Sequence, residues 1–459
     1  MLTSLEIGGL RGFAAPQTIA LARPTGKPGS GLTVIVGANN TGKSTVIEAL
    51  RAVAQNNPPS FTQGRRNQTA GDKVQLRVSS DENKVTILRS IRPGSSETEY
   101  VKENGGVDLR RLLVLPARRV FNPYFGRAEY NRDQYMAGIG FPPIRTSSLD
   151  QFTNRLFAIE KNRGAFDEIL KRVVQPIPDW SIDQMDNGQY FLKFKKQNAT
   201  HSSEGLGEGL VSLLYIIDAL YDSKESDTIA IDEPELSLHP ALQRNLSQLF
   251  SEYSATRQIV LSTHSPYFIG LDVIPNGGTV ARTYIRGEES KISQLSDNSA
   301  KAILGLMSNA NNPHIFGLLA QEIFFVEDRV ILSEGQEDVI FLNRAAKATQ
   351  PLMGTFFGWG VGGAENMERI ATILKELGFS KVVGILDGNR ADLAGKLSAQ
   401  FPKFHFFAIP ADDVRTKAAV PAKSVVIGLL DDQNESIRPE YAAEVRRLFQ
   451  VANKYLGGK

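Results

Sequence analysis

The sequence predicts an α/β fold in two parts: a core with a glycine-rich loop in a largely parallel sheet, then a smaller α/β domain. Three observations predict it. A β-branched run, Leu32-Thr33-Val34-Ile35-Val36, meets a glycine-rich loop and then a helical pattern. Apolar runs alternate with helical patterns between residues 206 and 262, which argues for parallel strands covered by helices. After about residue 310 the composition changes and the alternation resumes. With 459 residues, 41% hydrophobic and 22% charged, the chain has ample material for more than one core.

The elements follow in order. Leu2 to Ile7 alternates and meets Gly8-Gly9, a strand and turn. Leu32–Val36 is a buried strand, and Ser44–Gln55 is a helix with Val46, Ile47, Leu50 and Val53 on one face. Residues 60–72 are a polar loop, and residues 73–101 alternate in short pieces typical of antiparallel strands. Leu112–Leu115 is another buried strand. Residues 121–148 read as an irregular surface segment and 149–174 as one helix; about 121–190 forms a short helical insertion, an arm or lid. Helix Leu206–Leu220, strand Thr228–Ile231, helix Pro240–Tyr253 and strand Gln258–Ser262 complete the first domain, placed at 1–320. In the second, at 321–459, Val330–Leu332, Lys381–Leu386 and Phe404–Ile409 are strands and Val339–Ala346 is helical. Phe356–Gly363, aromatic and glycine-rich, reads as a strand and tight turn.

Composition excludes several chemistries. The chain has no cysteine, so disulfides, thiolate metal sites and cysteine nucleophiles are absent. The net charge is +2, so any nucleic-acid site is a local patch rather than a global field. The N-terminus lacks the basic start and apolar core of a signal peptide, and no apolar run reaches membrane-helix length. The expectation is a soluble cytoplasmic protein that makes no use of a membrane.

The motifs point to a nucleotide. Gly37-Ala38-Asn39-Asn40-Thr41-Gly42-Lys43-Ser44, followed by Thr45, fits G-x-x-x-x-G-K-[ST] between a strand and a helix. Backbone N–H groups and the helix N-terminus there cradle phosphates of ATP, Lys43 reaches the β- and γ-phosphates, and the Ser44 hydroxyl ligates Mg²⁺. Thr228–Asp232 ends an apolar strand in Asp232-Glu233. Asp232 is placed to hold Mg²⁺ and Glu233 to polarise the attacking water, since paired carboxylates at a buried strand tip are costly unless a cation uses them. His264, ending the next strand, is placed to contact the γ-phosphate.

Together the phosphate loop, IDEPELSLHP and LSTHSP resemble ABC-type ATPases of the overcoming-lysogenization-defect (OLD) group, in which such an ATPase is fused to a C-terminal TOPRIM domain. The arrangement Glu233-Pro234-Glu235-Leu236-Ser237-Leu238-His239-Pro240 is the most specific part of that resemblance. It implies an ABC-type fold, a head-to-tail homodimer and, at each ATP, a signature segment from the partner chain. The candidate is Ser202–Gly209, with Gly207 and Gly209 at the nucleotide and Gly207 where the family carries a phosphate-capping serine. Arg11, in GLRGF, falls where the group carries a base near the nucleotide; an exposed arginine after a strand is the equal alternative. Arg118-Arg119 lies either near the site or on a partner surface, and the Q-loop glutamine is not identifiable.

Leu332-Ser333-Glu334-Gly335-Gln336-Glu337-Asp338 resembles the opening of a TOPRIM fold. That implies Glu334, Asp338 and Asp387 as acid/base or metal-ligating groups. Asn389 replaces the second carboxylate of D-x-D, with Asp392 nearby to compensate; Asp412, Asp413 and Lys417 follow the next strand. The resemblance leaves two functions open. One is an anti-phage defence ATPase that senses a phage trigger protein and controls a partner effector nuclease, as in the ATPase subunit of the phage anti-restriction-induced system. The other is an ATP-gated, Mg²⁺-dependent DNA nuclease using its own TOPRIM-like domain. DNA is a possible partner in either.

Overall fold

The computed structural model describes residues 1–142, 149, 151–196, 199–202, 207–269, 273–296, 298–300, 324–326, 328–417 and 426–457. The chain divides into two compact units, Met1–Gln294 and Leu295–Lys459. The boundary expected from sequence, at 320, lies outside the described residues, as does Ser203–Leu206 of the signature candidate.

The first unit begins with β1 (Leu2–Gly8), β2 (Gln17–Ala20), β3 (Leu32–Val36) and α1 (Lys43–Val53). Next come β4 (Gln75–Ser80), β5 (Val85–Ser90), β6 (Thr98–Glu103) and β7 (Leu112–Leu115). Then α2 (Arg132–Gly138), α3 (Phe152–Glu160), α4 (Arg163–Lys171), β8 (Asp179–Gln184), β9 (Tyr190–Lys196) and β10 (Ala199–Ser202). It closes with α5 (Glu208–Tyr221), β11 (Thr228–Asp232), α6 (Pro240–Tyr253), β12 (Gln258–Ser262), β13 (Thr279–Arg286) and β14 (Glu289–Gln294).

Two sheets sandwich α1. The larger has the order β14-β13-β3-β12-β11-β7, parallel throughout except for β14. Its strands β3, β7, β11 and β12 are buried at every position, which is why they read as unbroken apolar runs. The smaller, β2-β1-β4-β5-β6, is antiparallel. One core joins Leu5, Ile7, Leu76 and Val78 of this sheet to Val46 and Leu50 of α1 and to Ile35 and Val260 of the parallel sheet. α1 can be apolar over most of its length because both faces are covered.

The segment 121–190 departs from a purely helical insertion. Its 121–148 part contains α2, closed by a capping box in which Asn131 and Gln134 bond reciprocally. The single helix expected over 149–174 is two, broken at Lys161-Asn162, with Phe152, Leu156 and Ile159 buried on one and Phe166 and Leu170 on the other. The segment's last part, β8, belongs to the antiparallel sheet β10-β9-β8, whose other strands continue past residue 190. The helices lie down on α5 instead of projecting: Phe152 stacks on Tyr215 with ring centres 3.8 Å apart, and Arg155 pairs with buried Asp218 at 2.7 Å.

The second unit holds β15 (Val330–Leu332), α7 (Gln336–Thr349), β16 (Thr355–Phe356) and α8 (Met367–Glu376). β17 (Val382–Leu386), α9 (Ala391–Gln400), β18 (His405–Ala408) and α10 (Pro439–Gly457) follow. The sheet order is β16-β15-β17-β18, all parallel, over a core that includes Ile331, Leu342, Val383, Ile385, Val445 and Phe449. Among the described residues no helix is long and apolar enough to cross a membrane.

Candidate functional site

Ligands of open parallel sheets bind beyond the carboxyl ends of the strands, and the motifs meet at that edge. Ser262 of β12 pairs on one side with Ile35 of β3 and on the other with Asp232 of β11. The phosphate loop, the acidic pair and His264 therefore emerge side by side. The loop needs backbone conformations that suit glycine: φ is 147° at Gly37 and 109° at Gly42. A Cβ on Gly42 would meet the Phe13 ring at 2.8 Å. Asn40 also adopts a positive φ, 62°.

Lys43 begins α1, and its ammonium donates to the carbonyls of Gly37 at 3.0 Å and Ala38 at 2.9 Å. Burial pulls its pKa down to about 8, against the opposing pull of Glu233, Asp232 and Glu235. Thr41 Oγ1 donates to the Ala38 carbonyl and lies 2.7 Å from Thr283 Oγ1, which ties the loop to β13. A cleft of about 610 Å³ is lined by Asn39, Asn40, Gly42, Lys43, Ser44, Thr45, Glu233 and His264. Arg11, Ile285, Glu288 and Ser290 complete its wall.

At the acidic tip, Ser262 Oγ donates to Asp232 Oδ1. Glu233 sits in the left-handed region with φ 47°, its N–H donating to the Ser262 carbonyl at 2.8 Å. A non-glycine residue held there stores strain, which aims the carboxylate into the cleft. His264 Nε2 lies 3.9 Å from Glu233 Oε1, and burial together with the Lys43 cation holds its pKa below the ordinary value, favouring neutral imidazole. Sequence reading gave Glu235 no role of its own. Its carboxylate accepts from Thr263 Oγ1 at 2.8 Å and from the His264 N–H at 2.6 Å, so it fixes the backbone that presents His264.

Arg119 is also a site residue. It is buried, donates to the carbonyls of Asp232 (2.7 Å) and Glu233 (2.9 Å), and reaches Ser212 Oγ of α5 at 2.7 Å. Arg11 has φ 50° and grips Glu48 of α1 through Nε at 2.8 Å and Nη2 at 3.2 Å, in the wall of the cleft. Gly207 and Gly209 do not line the cleft of their own chain. Gly207 caps α5, and a Cβ on Gly209 would meet the Ser237 carbonyl at 2.3 Å. The hairpin residues Ile285, Glu288 and Ser290 carry no motif; strand pairing alone brings them here.

The Ser44 hydroxyl and the Asp232 carboxylate, both oxygen donors of the kind that suits a hard cation such as Mg²⁺, line one cavity, whose wall also carries Arg51, Arg65 and Arg118. In the second unit, Glu334 and Asp387 end the neighbouring parallel strands β15 and β17, and the Asp387 N–H donates to Glu334 Oε1 at 3.1 Å. Asp338, in the first turn of α7, accepts from the Gly335 N–H at 2.8 Å. Burial, then Asp338, Glu334 and Asp413, push Asp387 up to about 8; burial chiefly pushes Asp338 up to about 6. Lys417 is paired with Asp413. Asp392, Asn389 and Asp412 are exposed. Among the described residues no group of three or more His, Asp or Glu is placed to hold a metal ion.

Residues 32–270 match the family described as "AAA domain, putative AbiEii toxin, Type IV TA system". The OLD nuclease of Thermus scotoductus is 24% identical over 373 residues, 67% of this chain and 68% of that protein. Septu protein PtuA of Bacillus thuringiensis is 23% identical over 282 residues, 52% of this chain and 67% of that protein. Among solved structures, the SMC head domain from Thermotoga maritima aligns with a TM-score of 0.37 at 15% identity, over 64% of this chain and 99% of that one.

Proposed function

This chain belongs to the family described as "AAA domain, putative AbiEii toxin, Type IV TA system", and on that premise we propose that it is the ATP-driven control subunit of an anti-phage defence system, sensing a phage protein and holding an effector nuclease until triggered. The chain is an ATPase. The observation that carries its mechanism is one cleft lined by Lys43, Ser44, Glu233 and His264. The loop N–H groups and the Lys43 ammonium bind the triphosphate, Glu233 orients and deprotonates the water, and neutral His264 donates to the γ-phosphate. Ser44 and Asp232 would hold Mg²⁺, which when bound neutralises charge developing on the phosphates.

Lys43→Ala removes the cation that meets the phosphates and lowers ATP affinity about tenfold or more, read by calorimetry. Glu233→Gln keeps affinity but lowers turnover by at least about a hundredfold. Wild-type turnover in Glu233→Gln would remove it from the mechanism.

The control role is supported by the likeness to Septu protein PtuA and by exposed Asn389 where a TOPRIM nuclease carries a second carboxylate. A second reading, an ATP-gated DNA nuclease acting through a TOPRIM-like second unit, is favoured by the Glu334–Asp387 contact and by the likeness to an OLD nuclease. Cells carrying the gene with its neighbours decide between them. Under the control reading, Glu334→Ala retains phage protection and the purified chain leaves plasmid intact with Mg²⁺ or Mn²⁺. Loss of protection together with loss of plasmid cleavage in Glu334→Ala makes the chain itself the nuclease.

A further inference from the structure

A second cavity, of about 210 Å³, lies behind the catalytic pair. Ser44 and Glu233 line both it and the larger cleft, so the two adjoin where the phosphate loop meets the acidic strand end. Its volume far exceeds the roughly 10–15 Å³ that one water requires. Ile47, Val114 and Phe141 give it apolar walls, and its charged lining is mixed, with Arg51, Arg65 and Arg118 beside Glu48, Asp232 and Glu233.

The charges in this cavity are unevenly compensated. Arg65 pairs with Glu48 at 3.3 Å, and Glu48 is held from its other side by Arg11. Arg51 is 9% exposed; its Nε has no partner among the described residues, and its Nη2 makes only a long 3.4 Å bond to the Gly140 carbonyl. A buried cation with an orphaned donor is costly unless an anion or water completes it. Arg118 is exposed at the rim and has no hydrogen bond or ion pair among the described residues.

We propose that this cavity is a phosphate site, receiving the inorganic phosphate cleaved from ATP and passing it out past Arg51 and Arg118. In hydrolysis the water oxygen bonds the γ-phosphorus, the bond from that phosphorus to the β–γ bridging oxygen breaks, ADP keeps the bridging oxygen, and the water proton passes to Glu233. The product is a compact polyanion left beside Ser44 and Glu233, at the junction of the two spaces. Guanidinium forks match its tetrahedral oxygens. The inference rests on ATP turnover at the larger cleft and adds a second route out of it.

The test separates formation of phosphate from its release. The full chain is mixed with ATP and Mg²⁺; acid-quenched phosphate reports formation, and a fluorescent phosphate-binding reporter follows free phosphate. Ala117→Leu narrows the cavity without touching the phosphate loop. The expected result is free phosphate lagging formation by about tenfold, with ATP affinity and first-turnover formation unchanged. Arg118→Ala, at an exposed position, weakens inhibition by added inorganic phosphate about threefold or more. Free phosphate that tracks formation in Ala117→Leu as it does in wild type overturns the exit route. Unchanged phosphate inhibition in Arg118→Ala overturns the binding site. A wild-type chain that forms no phosphate in the first turnover overturns both this inference and the ATPase mechanism.

Discussion

A single guanidinium does more to shape the catalytic tip than any one carboxylate. Arg119 bonds the carbonyls of Asp232 and Glu233 and the hydroxyl of Ser212, and its burial leaves no water to replace it. Arg119→Lys keeps a positive charge but loses the planar fork. Expected outcomes are a stability loss of about 1–3 kcal/mol by denaturant titration and a kcat reduced about tenfold with ATP affinity nearly intact. A kcat equal to wild type would show that Glu233 keeps its φ of 47° without this support. In the second unit the ionisation of Asp387 has a definite sign. Its pKa rises from the ordinary 3.8 to about 8, so the folded state binds the proton more tightly than the unfolded chain. The stability this group contributes is fully present below about pH 4 and is lost as pH rises from there toward 8. In a chelator, to keep metal ions out, Asp387→Asn flattens this decline and gains on the order of 2 kcal/mol at pH 8. A thermal unfolding midpoint for the unit that is flat with pH in the wild-type chain contradicts the assignment.

Two glycines at the start of α5, Gly207 and Gly209, meet different surroundings. Gly209, in the first turn of α5, leaves no room: a Cβ would lie 2.3 Å from the Ser237 carbonyl. Gly207 has nothing within 4 Å of an added Cβ among the described residues, and its φ is −61°. Gly209→Ala should cost about 2–3 kcal/mol by chemical denaturation, and Gly207→Ala about 0.5–1 kcal/mol through the poorer N-cap; equal costs would show that the α5–Ser237 contact is not tight. Neither requirement shows in the sequence, where both glycines read alike. What was legible there had a local cause. The phosphate loop and acidic pair show because their chemistry fixes residue types at short, set spacings. β3, β11 and β12 show because strands covered on both faces must be apolar throughout. The sheet β10-β9-β8 was missed although β9 alternates, with Leu192 and Phe194 buried between Lys193 and Lys195; the pattern is short and lies beside a segment read as helical. Ile285 and Glu288 were missed because only the pairing of β13 with β3, far apart in sequence, brings them to the cleft. Arg119 was singled out, but its partners Ser212, Asp232 and Glu233 lie about a hundred residues away, beyond any spacing rule.

At the scale of the whole molecule, the question is whether one chain completes its own site. The cleft holds the phosphate loop, Glu233 and His264 but neither Gly207 nor Gly209, although both sit at the N-terminus of α5, where helix N–H groups favour an anion. If that helix end acts, it acts on a nucleotide held by a second chain, as a head-to-tail dimer requires. Gly207→Asp probes this without harming the fold, since Gly207 is the N-cap of α5 and Asp is among the preferred N-caps. Its charge would oppose the triphosphate of the partner and stop turnover. Lys43→Ala stops turnover from the other side of the site. In a mixed dimer the intact phosphate loop of the Gly207→Asp chain faces the intact helix end of the Lys43→Ala chain, so one site per dimer is whole. Mixing the two inactive variants in equal amounts is expected to restore about a quarter of wild-type ATP turnover, because half the dimers are mixed and each has one working site of two. The recovery should vanish on dilution below the dimer dissociation constant. A site completed within one chain gives no recovery at any concentration, and that result would leave α5 with a structural role alone.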